Sequence, residues 1–398
     1  MRARSFHGTV AMFAGLVAAA ACSSSSAGPS TVAGDDGGTA AGDDAAGGGG
    51  IADAPASEAG RSDAGSACSP SYGQFGPHVY PPACYQFYAP TDPLNTPIPA
   101  NPMLDPNSST LVSQALAAWG SPGQGNFYAL GQDLGTNDYA HPVYFSQPGD
   151  PLYTIHVTTG GGTSNLEGLQ VPIPAVAKPA GGTDHHLCII DQAAGKEYDM
   201  WQAADPSGTG GPLTCSWGEM TDYSATSSAF FVGSATAGGF HLPAGLVRSE
   251  EFVAGEIRHA LFAVVPCCVG VSPWVSTRGG NCDYTCTSGQ GLAMGARIVL
   301  GMTDAEITAL GKNSAATAVL MALAHYGAIV GDTAQGYKGG IFWPMATTTL
   351  DYEVYGDPDP VTALGQKEGW GANLDFATGV DWTKLEVVDD CVSAQTCL

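Results

Sequence analysis

Asp184, His186, Glu197, Asp199 and Trp201 are residues whose types and spacing could do chemistry together. Side chains of a strand alternate faces, so Glu197 and Asp199 would project from one face with their carboxyls roughly 6 to 7 Å apart. Retaining glycosidases place such a pair about 5 to 5.5 Å apart and inverting ones about 6.5 to 9.5 Å apart. His186 titrates near neutral pH and can give or take a proton. Trp201 offers a flat apolar surface of the kind that sugar rings stack against. The set fits a polysaccharide-processing site of glycoside hydrolase or lyase type. Asp184, His186, Glu197 and Asp199 are its catalytic candidates and Trp201 its substrate-binding one. The competing reading is the wet outer face of an edge hairpin.

Two strands joined by a turn must position these groups. Asp191 to Lys196 holds the Gly and polar residues that a turn needs. Pairing Ile190 with Glu197 gathers Leu187, Ile189, Tyr198 and Met200 on one apolar face. It leaves Asp184, His186, Cys188, Glu197, Asp199 and Trp201 on the other. A slip of one residue would mix the two sets, so the apolar pattern itself selects this register. Further short runs rich in Val, Ile, Tyr, Phe and Thr lie at His141–Phe145, Tyr153–Thr159, Phe230–Val232, Ala260–Val265 and Arg297–Leu300. Gly and Pro punctuate them, which predicts a mainly β fold. A β-sandwich, jelly-roll or concanavalin-like, with a few short helices packed on it, is the expected architecture. Helices are predicted over Ser108–Trp119, Thr303–Gly311 and Ser314–Tyr326, the second opening on a Thr303/Glu306 capping box.

The formal charge is −24, with Lys and Arg totalling 13 and scattered. Phosphate backbones demand clustered cations, so nucleic acid is excluded as a partner. No Gly-x-Ser-x-Gly elbow, His-Glu-x-x-His helix or phosphate loop occurs. No cofactor is expected, although Asp351, Glu353, Asp357 and Asp359 are oxygen donors that could hold Ca²⁺. His185 and His186 would point to opposite faces and do not make a metal pair.

Location is the firmest reading. Arg2 and Arg4 precede an apolar stretch from Val10 to Ala21, and small residues lead directly into Cys22. This resembles the lipobox of bacterial lipoproteins, which implies a signal peptide over 1–21 and a lipid on Cys22. The alternative is a plain secretory signal, and both place the chain outside the cytoplasm. Residues 22–67 are almost all Ala, Gly, Ser, Asp and Pro, too little apolar bulk to offset ordering entropy. They read as a flexible tether, and 68–398 as the folded β-rich domain. Removing Arg2 and Arg4 with the signal takes the charge from −24 to −26. The expected protein is a monomer in the cell envelope, held to the membrane through Cys22.

Of 11 cysteines, ten remain once Cys22 is lipidated, enough for up to five disulfides in an oxidising compartment. Short loops favour Cys68–Cys84 and Cys391–Cys397. A zinc site on Cys267, Cys268, Cys282 and Cys286 is the alternative for those four, although their spacing lacks the paired Cys-x₂-Cys pattern.

A longer string carries a resemblance. It comprises Leu242–Arg248, Glu251, Gly255–Leu261, Met294–Arg297, Ala322–Val330 and Asp332. These residues resemble an uncharacterised family of exported bacterial and fungal proteins, over roughly 171–336. The Asp184/His186 and Glu197/Asp199 hairpin sits where that family has an Asp-x-His and an acidic strand. The cysteine-rich segment Pro266–Cys286 is an insertion relative to it. Within the string, His259 and Arg297 are candidate substrate-binding residues. His259 also reads as a buried structural histidine and Arg297 as an anchor for a carboxylate. A polysaccharide-processing enzyme, a non-catalytic glycan- or envelope-binding lipoprotein and a structural envelope lipoprotein all remain open.

Overall fold

The computed structural model describes residues 73–119, 139–159, 164–224, 228, 235–276, 280–333, 343–344, 350–369 and 374–397. All of them fall in the compact unit Gly65–Leu398. The signal, the tether, Cys22, Cys68 and the strand expected at Phe230–Val232 lie outside the described residues.

The strands are β1 (Val143–Ser146), β2 (Leu152–Val157), β3 (Gln170–Pro172), β4 (Leu187–Asp191), β5 (Lys196–Trp201) and β6 (Gly211–Cys215). After them come β7 (Trp217–Asp222), β8 (Leu261–Val265), β9 (Arg297–Leu300), β10 (Ala328–Thr333), β11 (Trp343–Pro344) and β12 (Leu385–Val387). They form three sheets, ordered β3-β2-β6, β1-β4-β5-β7 and β11-β8-β10-β9-β12. The fold is mainly β. Each sheet contains one parallel pair: β2 with β6, β1 with β4, and β8 with β10. That distinguishes it from the all-antiparallel pattern of a jelly roll.

Alternation along the strands stacks these sheets. Leu187, Ile189, Tyr198 and Met200 of the four-stranded sheet pack on Tyr153, Ile155, Val171 and Leu213 of the three-stranded one. Cys188 and Ile190, on the opposite face, pack with Phe262, Val264 and Ile329 of the five-stranded sheet. Leu261, Ala263, Val265, Ala328 and Val330 point the other way, into helices. The four-stranded sheet is therefore covered on both faces.

The helices are α1 (Ser108–Trp119), α2 (Ser249–Ala254), α3 (Pro273–Ser276), α4 (Asp304–Ala309), α5 (Ser314–His325), α6 (Leu350–Tyr355), α7 (Pro360–Glu368) and α8 (Asp390–Ser393). Thr303 and Glu306 form the expected capping box on α4. The apolar side of α5, Val319, Leu320 and Leu323, is fully buried against the five-stranded sheet. None of these helices is long and apolar enough to cross a membrane.

Cys267–Cys286, Cys268–Cys282 and Cys391–Cys397 are disulfides, and Cys84 is also disulfide-bonded. Disulfide chemistry fits an extracytoplasmic compartment. The four clustered cysteines thus cross-link each other and hold no zinc. Cys188 and Cys215 are buried free thiols on different sheets, so the full set of five bonds is not made. Replacing Cys267, Cys268, Cys282 and Cys286 together by Ala is expected to cost more than about 3 kcal/mol, since two bonds are lost and a single loop of about 15 residues is worth that much. Chemical denaturation measures this, and an unchanged midpoint would contradict it.

Candidate functional site

The hairpin forms in the expected register, with Ile190 opposite Glu197 and Cys188 opposite Asp199. Asp191 closes the turn by accepting from the Ala193 and Ala194 amides at 3.0 and 2.9 Å. It is not an edge hairpin, because β1 pairs with β4 and β7 with β5. The polar face lies between two sheets. Glu197 and Asp199 are each 1% exposed, and His186 and Cys188 are buried with them. The solvated-face reading is therefore corrected, and in this arrangement a polymer chain has no route to the two carboxyls.

Buried polar groups need partners, and these come from segments far away in the chain. Tyr88 donates its hydroxyl to Glu197 Oε1 at 3.2 Å. His241 places Nδ1 3.2 Å from Asp199 Oδ2 and 3.7 Å from Glu197 Oε1. The Leu242 amide donates to Asp199 Oδ2 at 3.0 Å. Carboxylate oxygens of Glu197 and Asp199 approach within 4.8 Å of each other and of Cys188 Sγ. The pair is tighter than strand spacing predicts, since both side chains turn to the one imidazole. Burial first, and then the neighbouring Asp199 charge, hold the Glu197 carboxyl well above the usual range. Burial likewise raises the Cys188 thiol.

Leu242 links this group to a second one. Its carbonyl accepts from His141 Nδ1 at 2.9 Å, and the His141 ring meets His186 edge-on at 4.7 Å. Burial pushes His141 down to about 3 and His186 down to about 4, so both imidazoles are neutral at physiological pH. A partly open pocket of about 30 Å³, lined in part by His141, Arg248, Glu250 and Asp351, admits water-sized groups only.

The hairpin ladder ends where His185 and Gln202 take positive φ, 41° and 51°. Non-glycine residues seldom adopt that conformation. Here Asp184 accepts from Trp201 Nε1 at 3.3 Å, and both residues are partly exposed. Asp184 stands close enough to Asp332 for their charges to interact. Asp332 follows a register shift in β10. Gly331 makes the shift possible, because a Cβ there would enter the Phe262 ring. Burial, then Asp283, then Asp184, raise the Asp332 carboxyl to about 8. Asp283 belongs to the disulfide-bonded segment Cys267–Cys286 and accepts from Thr333 Oγ1 at 2.8 Å. Parallel strands β8 and β10 thus end in carboxyl groups from three segments, at the strand ends where α/β sheets commonly bind ligands.

The remaining candidates lie elsewhere. His259 is buried, with Nε2 3.2 Å from Glu251 Oε1 and Nδ1 donating to the Ala260 carbonyl at 2.8 Å. That is the structural role. Arg297 anchors backbone carbonyls of Tyr326, Pro93 and Thr96 rather than a carboxylate partner at hydrogen-bond distance. Of the four Ca²⁺ candidates, Asp357 accepts from His78 and Tyr80, and Asp359 caps α7. Protein donors therefore already engage those two carboxyls. His141, His241, Tyr88 and Asp283 did not show as site residues in the sequence. Each is a single residue with no local pattern. Asp332 appeared there only as the last residue of the string that carried the resemblance, with no role assigned to it.

No family model, curated protein or solved structure matches this chain.

Proposed function

We propose that this protein is an acid–base enzyme acting on glycan outside the cytoplasm, with Asp332 as the proton donor and Asp184 as its partner carboxylate. One observation carries the reading: Asp332 sits with Asp184 and Asp283 in a partly exposed group, where its carboxyl keeps its proton at neutral pH. Glycoside cleavage uses one protonated and one ionised carboxyl group. Trp201, held by Asp184, supplies an apolar face beside them. The acidity of the chain favours neutral over anionic glycans, which it would repel. Glu197 and Asp199 support the hairpin from inside and do not touch substrate. A reducing-sugar and unsaturated-product screen over a polysaccharide panel, run on wild type and Asp332→Asn, tests the assignment. Equal activity in the two proteins would remove it.

The chain is read as anchored through a lipid on Cys22. Wild type is expected in the membrane fraction with an acyl mass, and Cys22→Ser in the soluble fraction. Membrane partition of Cys22→Ser together with acyl-free wild type would contradict the anchor.

A further inference from the structure

We propose that Cys188, Glu197, Asp199 and His241 form a structural zinc site between the four- and five-stranded sheets. Ligating atoms of Cys188, Glu197 and Asp199 lie within 4.8 Å of one another. Tetrahedral zinc, with bonds of about 2.0 Å to N or O and 2.3 Å to S, sets its ligands roughly 3.3 to 3.6 Å apart. His241 Nδ1 lies 3.2 Å from Asp199 Oδ2 and 3.7 Å from Glu197 Oε1, so its ring borders the carboxyl pair. His241 stands outside the three-residue group of Cys188, Glu197 and Asp199, so rotations of its ring, of Cys188 and of the carboxyls must close the set on a metal.

A second observation points to a ligand. Glu197 Oε2 and Asp199 Oδ1 are buried without a hydrogen-bond partner. Both side chains are at most 1% exposed. Unpaired acceptors at that depth are costly; a proton shared between the two carboxyls or a bound cation would satisfy them, and the cation is the occupant proposed. The outer contacts are also of the kind that orient metal ligands: Tyr88 donates to Glu197 Oε1 and the Leu242 amide to Asp199 Oδ2.

The donor set selects the metal. One thiolate, one imidazole and two carboxylates suit zinc, whereas Ca²⁺ and Mg²⁺ require oxygen donors throughout. Four protein ligands leave no open position, which makes the site structural. Binding displaces the Cys188 proton and whatever proton the carboxyl pair holds, so loading is weaker at low pH. The metal would join β4 and β5 to the loop carrying His241 and Leu242. It is separate from the Asp332 group, and either assignment can fail alone.

The test refolds the full chain in zinc chloride or in EDTA, followed by elemental analysis and thermal melting. One zinc per chain and a higher midpoint with zinc are expected. Cobalt-loaded protein should show a thiolate-to-cobalt charge-transfer band that Cys188→Ser loses. Cys215→Ser, which alters the other buried thiol, should keep it. Zinc-free protein with the same midpoint in both buffers would overturn the proposal whatever the variants do. So would a cobalt band that survives in Cys188→Ser.

Discussion

Asp332→Asn is expected to lower glycan turnover by about 10²- to 10⁴-fold, the usual worth of a general acid, and to raise the thermal midpoint above pH 8. The amide keeps the size of the protonated carboxyl but cannot release a proton. Asp332 is raised from 3.8 to about 8, chiefly by burial and then by Asp283 and Asp184. An acid whose folded pKa is raised gives stability that is fully present below its unfolded value. That contribution falls as pH rises from 3.8 and is lost on passing about 8. The Asp332→Asn variant has no such proton to lose, so its curve should fall less steeply than wild type through that window. The same titration governs catalysis, and wild-type kcat/KM should decline as pH rises through about 8. Removing one neighbouring charge with Asp283→Asn should move that alkaline limb to lower pH. Full turnover in Asp332→Asn, or an alkaline limb that Asp283→Asn leaves in place, would sink the role.

Where local alternation carries information, the chain is legible. Leu187, Ile189, Tyr198 and Met200 fixed the hairpin register, and the structure has Ile190 opposite Glu197. Capping chemistry marked α4 through Thr303 and Glu306. What alternation lacks is the identity of the covering layer. A face bearing His, Glu and Asp reads as wet, yet here Phe262, Val264 and Ile329 lie across it. The carboxyls survive there only because Tyr88, His241 and Leu242 reach them, the first from more than 100 residues away in sequence. Such contacts depend on sheet stacking and leave no spacing to read. The same cause hid the partners of His259 and Arg297, although the buried structural role of His259 was legible. Their partners are a carboxylate on α2 and carbonyls of irregular chain, which need donors from outside because no ladder supplies them.

Arg297→Met should therefore cost folding stability rather than substrate binding, by about 3 kcal/mol or more, because three partly buried carbonyls lose their donor at about 1 to 3 kcal/mol each. Arg297 is 2% exposed. Its Nε and Nη2 donate to the Tyr326 carbonyl at 2.9 and 2.6 Å, and Nη1 donates to the Pro93 carbonyl at 2.9 Å. A further bond from Nη2 reaches the Thr96 carbonyl at 3.3 Å. Tyr326 caps the C-terminal end of α5, where carbonyls lack helical partners. One guanidinium thus joins β9, the end of α5 and the segment around Pro93. Burial lowers Arg297 only to about 10, so it is charged at neutral pH. Methionine fills the volume but donates nothing, and each acceptor left dry costs about 1 to 3 kcal/mol. Lysine lacks the planar fork and cannot serve three carbonyls at once, so Arg297→Lys should recover only part of the loss. Arg258→Met makes the comparison, since Arg258 is exposed and pairs with exposed Glu256, a contact worth under about 1 kcal/mol. Urea unfolding of the three variants reads the difference. An Arg297→Met midpoint equal to that of Arg258→Met would show that the clasp contributes nothing, and would return Arg297 to the candidates for ligand binding.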